Sequence, residues 1–307
     1  MEHHRKRPHL LRTDMADRSA ARATQRAHRS GDVVLIRQGV YMPRGEWEAL
    51  EETGRHLARA RAVAPELEEG TGFSHVTAAL ALGWPLIGPA PERVHVIDDR
   101  RTTTVHRAGL VRHAGPLPAV DPVRLDGVPV TAPVPTAVAL IVSAPVHVAA
   151  VAVDAAVRAR VIEPSRLAEE LPLGPARGSA RAQLVLSALD ERHESPGESF
   201  TAIRLVEIGA PATIPQHEFV LPDGRRDRVD FWLPSRGVVV EFDGKQKYRD
   251  PTMIGTSDPA EVLWREKVRE DRIRSRPEVR AVIRVTWWHL VEPDRLRALF
   301  RAHGVRL

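Results

Sequence analysis

The sequence predicts a mixed α/β (α+β) protein built from more than one segment. Three observations carry this. An Arg-rich helical pattern runs straight into a hairpin pattern near the front, a Pro- and Gly-rich stretch at 171–179 interrupts the chain, and short β-rich runs alternate with helical patterns behind it. A length of 307 residues suits about two domains, each with a substantial core. The patterns divide the chain into 1–60, a mixed α/β middle region at 61–175, and 180–307.

The composition is that of a globular chain, with 43% hydrophobic and 28% charged residues but only 5% aromatic. A formal charge of +5 is modest for this length and predicts nonspecific attraction to polyanions, nothing more. With no cysteine, disulfides, thiolate zinc sites and thiol nucleophiles are excluded, and a reducing cytoplasm is the simplest setting. The basic N-terminus lacks the apolar core and small-residue cleavage site of a signal peptide. Residues 133–153 hold only Thr136, Ser143 and His147 as polar side chains, a run long enough to cross a bilayer. Pro135 and Pro145 break it, and small Ala and Val fill it, so two short core helices are expected, the second continuing amphipathically through Asp154 to Arg158.

At the front, Leu10, Leu11 and Met15 suit a first helix, and Asp17 or Ser19 caps a second, ended by Gly31. Arg18, Arg22, Arg26 and Arg29 recur every three or four residues, which lays a basic stripe along one side of that second helix. Val33 to Ile36, the Arg37-Gln38-Gly39 turn and Val40 to Met42 read as a hairpin. A basic helix followed by a wing is the arrangement of a winged-helix DNA reader, whose helix enters the major groove; Arg37 in the wing turn joins the four helical arginines as a DNA contact. The alternative is a solvated Arg-rich helix face. In the middle region, Ser74 and His75 read as a helix cap and a satisfied histidine, and nothing fixes His106 or His113 as ligands.

Behind the linker, helices are expected at 180–191 and from Pro196, with Glu198 in the first turn, where the helix dipole favours a carboxylate. Strand patterns follow at 217–220, at 228–233 around Asp230, and at 238–245. Two-residue periodicity puts Glu241 and Asp243 on one face, roughly 7 Å apart. Carboxylates gathered on a core strand raise one another's pKa, so they require a proton, an Arg or Lys partner, or a metal. A charged helix at 261–274 and a last strand at 279–287 complete the pattern, with Trp287 and Trp288 pointing to opposite faces of that strand.

These residues resemble known families in two places. From about residue 195 to 290, Glu198, Gln216, Asp230, the Glu241-x-Asp243-Gly244 strand end and Arg284 resemble the PD-(D/E)XK restriction-endonuclease-like superfamily, in particular its branch related to the very-short-patch-repair (Vsr-like) endonucleases. That resemblance implies Mg²⁺-dependent cleavage of DNA phosphodiester bonds, with Mn²⁺ as a substitute. Asp230 and Glu241 would be metal ligands, with Glu198 acting from the helix. The usual Lys of the motif is Asp243 here; Lys245 or Lys267 would then supply the ammonium. The segment from Asp14 to about Arg44 resembles the N-terminal domain of AbiEi-type antitoxins. The similarity continues through Ser74-His75-x-Thr77-Ala78-Ala79 and Val94-His95-Val96. It implies promoter binding, autorepression and a cognate toxin. Two functions are therefore expected: a metal-dependent DNA endonuclease, or a non-catalytic antitoxin-like regulator that keeps the nuclease fold for structure or DNA binding.

Overall fold

Helices and three sheets of mixed character form the chain in the computed structural model, which describes residues 9–13, 17–107, 109–171, 178–221, 223–244 and 259–307. The α/β class expected from the pattern is the class observed. Two units divide at Met1–Leu140 and Ile141–Leu307. Most of the linker expected at 171–179 lies outside the described residues.

The first unit opens with β1 (Leu11–Arg12), α1 (Arg18–Ser30), β2 (Val33–Arg37) and β3 (Val40–Pro43). The helix expected around Leu10 and Leu11 is instead a strand, with Leu11 opposite Tyr41, and the small sheet has the order β1-β3-β2. Pairing on the open edge of the hairpin satisfies the backbone of a segment too short to hold a helix by itself. Asp17 is the cap: its side chain accepts from the amides of Ser19 and Ala20, and Gly31, at φ 88°, closes the helix.

Next come α2 (Arg44–Ala49), α3 (Glu52–Val63), β4 (Thr71–Phe73), α4 (His75–Ala81), β5 (Val94–Asp98), β6 (Val105–Arg107), β7 (Leu110–Ala114), β8 (Val120–Leu125), β9 (Val128–Thr131) and α5 (Pro133–Ser143), within which the chain passes from the first unit to the second. The six strands from β4 on form a sheet ordered β6-β7-β5-β4-β9-β8. Phe73, Val94, Val96, Val128 and Val130 pack with Ala60, Val63 and Ala78 from α3 and α4 as its core.

On this sheet His75, His95 and His113 come together, a meeting the sequence does not announce. Burial, then His113 and His95, push His75 down to about 3 from the ordinary 6.5. Burial with neighbouring imidazoles likewise lowers His95 and His113 to about 4 each. Between about pH 4 and 6.5 the unfolded chain therefore binds more protons than the folded one, so stability falls as the pH drops through that window. The thermal midpoint of the wild type should decrease on acidification across it. A His113→Gln variant should show a shallower decrease, read by circular dichroism melts at several pH values.

The second unit contains α6 (Val146–Arg158), α7 (Pro164–Glu170), α8 (Ser179–Ala188), α9 (Pro196–Glu207), β10 (Ile214–Val220), β11 (Arg226–Leu233), β12 (Val238–Phe242), α10 (Pro259–Arg274), β13 (Ala281–Val285), α11 (Trp287–Val291) and α12 (Pro293–Ala302). As expected, the apolar stretch at 133–153 breaks into α5 and α6 near Pro145, and no helix among the described residues is long and apolar enough to cross a membrane. Helix α6 is not amphipathic, however: Ala149 to Asp154, Ala156 and Val157 are all buried. Asp154 is tolerated there because it accepts from His193 Nδ1 (2.9 Å), the Asp190 amide (2.9 Å) and Ser199 Oγ.

The sheet runs β10-β11-β12-β13, antiparallel except for the parallel β12–β13 pair, with α10 as the crossover between those two. Phe219, Val229, Trp232, Val239 and Val282 pack with Ile273 of α10 against one another. The final strand expected to reach Trp287 stops at Val285. Thr286 caps α11, its amide donating to His289 Nδ1 (3.1 Å), so Trp287 and Trp288 both lie on a helix and both stay partly exposed.

Candidate functional site

The acids singled out by the sequence converge on one cleft of about 690 Å³ in the second unit, lined by Glu198, Asp230, Glu241 and Asp243 among others. Ser195 starts α9 by accepting from the Glu198 amide (3.2 Å) and donating to Glu198 Oε1 (2.7 Å). The other oxygen of Glu198 accepts from the Glu194 amide (2.8 Å) and from Gln216 Nε2 (2.7 Å). Glu198 is thus 7% exposed yet fully supplied with donors.

Gln216 sits in β10 at the level of Asp230 in β11 and has φ 51°, a left-handed conformation rare for a side-chain-bearing residue. Such strain costs roughly 1–3 kcal/mol and persists where the surroundings over-determine it. Here it accompanies an amide that reaches Glu198 from a neighbouring element.

Asp230 accepts from the Phe242 amide across the β11–β12 pair (2.7 Å). Glu241, near the end of β12, meets Arg269 of α10 through both oxygens (2.9 and 3.2 Å), and Arg269 also donates to the Arg228 carbonyl (2.7 Å). Arg284, beside Glu241 in the parallel β12–β13 register, pairs with Glu270 (2.6 Å). Burial alone would lower its pKa; the hydrogen bond and charge of Glu270, then Glu241 and Asp243, raise it overall. Asp243 lies one residue past β12 and is held by its amide, which donates to the Val285 carbonyl (2.7 Å).

Two expectations about ammonium groups fare differently. Lys245 lies outside the described residues, as do Lys247 and Tyr248. Lys267 is exposed and does not line the cleft; α10 turns Glu266 and Arg269 toward it instead. The charged helix is salt-bridged to the strands: Arg269 takes Glu241, and Arg272 takes Asp227 (2.7 Å), whose pKa is held low chiefly by that contact.

The basic stripe occupies the first unit. Arg18, Arg22, Arg26 and Arg29 fall within an arc of about 80° on α1. All four are exposed, while Ala21, Thr24 and Ala27 on the other side are partly covered. Arg18, Arg22 and Arg26 form no ion pair among the described residues. Arg37 differs from them: it is engaged by Glu66 (2.6 Å), a partner far along the chain that the wing pattern does not reveal.

The family model for the AbiEi antitoxin C-terminal domain matches residues 71–188. The match covers Ser74 to Ala79 and Val94 to Val96, as the resemblance implied. It lies behind the 14–44 segment on which that resemblance was centred, and it ends before Glu198, so it lends nothing to the nuclease resemblance at 195–290. No curated protein matches. The crystal structure of the RV2827C protein from Mycobacterium tuberculosis is 16% identical, covering 71% of this chain and 86% of that one with a TM-score of 0.37, too distant a likeness to carry an argument.

Gly197 decides how closely α9 approaches the cleft, since a Cβ there would run into the Phe242 ring. Gly197→Ala should destabilise the protein by about 1–3 kcal/mol through overpacking. A lowered urea midpoint would show it, whereas an unchanged midpoint would mean that α9 does not seat against Phe242.

Proposed function

We propose that this protein is a DNA-binding regulator of the antitoxin type, which represses its own promoter and pairs with a cognate toxin. The observation that carries this reading is the AbiEi antitoxin C-terminal match over residues 71–188, in a chain whose front presents an exposed arginine stripe beside a hairpin wing. The stripe supplies phosphate and guanine-edge contacts, and the cap and hairpin fix its helix. Internal compensation of the cleft acids agrees with a structural role for the second unit, because Glu198 and Glu241 have partners supplied by the protein.

The test is fluorescence anisotropy with the DNA upstream of the protein's own gene. Arg22→Glu with Arg26→Glu should weaken binding about tenfold or more and reduce the magnitude of the salt slope by about two. Asp230→Ala and Glu241→Ala should bind as the wild type does. Binding that ignores both arginine reversals would sink the proposal.

A second reading, a Mg²⁺-dependent DNA endonuclease, is favoured by the convergence of Glu198, Asp230, Glu241 and Asp243 on one cleft. Asp230 and Glu241 are hard oxygen donors of the kind that suits Mg²⁺ or Mn²⁺. As arranged, they do not fit a resident ion, since both Glu241 oxygens face Arg269, which would have to withdraw first. The mark of this reading is Mn²⁺ binding, measured by titration calorimetry, that Asp230→Ala removes.

A further inference from the structure

We propose that His75, His95 and His113 form a binding site for a transition-metal ion of the zinc class on the six-stranded sheet of the first unit. One ring nitrogen from each lies within 4.8 Å of the others. His95 Nδ1 and His113 Nε2 are already 2.9 Å apart with a single proton between them. Zinc–imidazole bonds of 2.0–2.1 Å in a tetrahedral arrangement place ligand nitrogens about 3.3 Å from one another, so a small closure of the third vertex completes a three-nitrogen face.

The sequence builds this face from three separate places. His95 and His113 lie on neighbouring parallel strands, two positions apart in the ladder, since His95 pairs with Val111 and Ile97 with His113. His75 comes from the first position of α4 with φ 52°, a left-handed conformation that an ordinary helix start does not require. Backbone strain aims it: the Ser74 amide donates to the His95 carbonyl (3.1 Å), and His75 Nδ1 contacts Ser74 Oγ (3.0 Å). With Nδ1–H donating to that hydroxyl, Nε2 keeps the lone pair. His95 is anchored through its amide on Thr77 Oγ1 (2.8 Å), which His56 also contacts (2.8 Å).

The rings stack, His75 on His113 with centroids 3.5 Å apart and planes 12° from parallel. Binding turns the edge of His75 toward the ion, and the proton shared by His95 and His113 moves to the far nitrogen of its ring. All three residues are partly exposed, so an ion reaches them from solvent and keeps water in its remaining position. The ligand set is neutral imidazole, which suits zinc, copper and nickel and disfavours magnesium and calcium.

The experiment uses the untagged full-length chain, stripped with chelator and titrated with Zn²⁺ by calorimetry and with Co²⁺ by visible absorption. The expected result is one equivalent per chain with a tetrahedral Co²⁺ band, and affinity reduced about tenfold or more in His95→Ala and in His113→Gln. Metal-free melts of each variant establish that it is folded, and the glutamine variant preserves the size of the ring site should alanine unfold the sheet. Wild-type binding no tighter than that of either folded variant, or no tetrahedral band, would overturn the proposal. Residual affinity from His3, His4 and the other histidines would be common to every variant and is read from them.

Discussion

Carboxylates crowded into a poorly solvated cleft must be compensated, and in the second unit the compensation comes from the protein itself. Glu198 is met by an amide, a hydroxyl and the Gln216 carboxamide, Glu241 by Arg269, and Asp230 by the amide of Phe242. The neighbouring architecture follows from these contacts. Gln216 adopts a strained backbone at the level of Asp230, α10 is tied to the sheet through Arg269 and Arg272, and Gly197 lets α9 close onto Phe242. With these partners Glu198, Asp230 and Glu241 are tolerated in the cleft without a metal.

Much of the fold was legible because local pattern and tertiary structure agree. The strands at Val229, Val238 and Phe219 carry apolar runs, the Asp17 cap and Gly31 stop bracket α1, and Pro145 breaks the apolar stretch into two helices. Elsewhere the structure departs from the local pattern, twice through a distant partner and once through a cap on the neighbouring residue. Leu11 became a strand because Tyr41 offers an edge, α6 lost its polar face because Asp154 is satisfied by His193, Asp190 and Ser199, and Trp287 entered a helix because Thr286 caps it.

The candidate sites divide along the same line. Four arginines at helical spacing are a local pattern, and the structure leaves them exposed, whereas the partner of Arg37 lies 29 residues away in Glu66. The carboxylates were recognisable as a set, but Arg269 could not be assigned to Glu241 from sequence, where Lys267 looked equally placed on α10. The three histidines are 20 and 18 residues apart on different elements, and only the strand order β7-β5-β4 brings them together; no spacing rule would have found them.

The account turns on whether the carboxylate cleft is structural or catalytic while the first unit engages DNA. Supercoiled-plasmid nicking with Mg²⁺ or Mn²⁺, run on the wild type beside Asp230→Ala, decides this most directly. A self-compensated cleft predicts no metal-dependent nicking that the substitution removes, in protein that still retards the DNA. Metal-dependent nicking by the wild type that disappears in Asp230→Ala would contradict the account and make the cleft an active site.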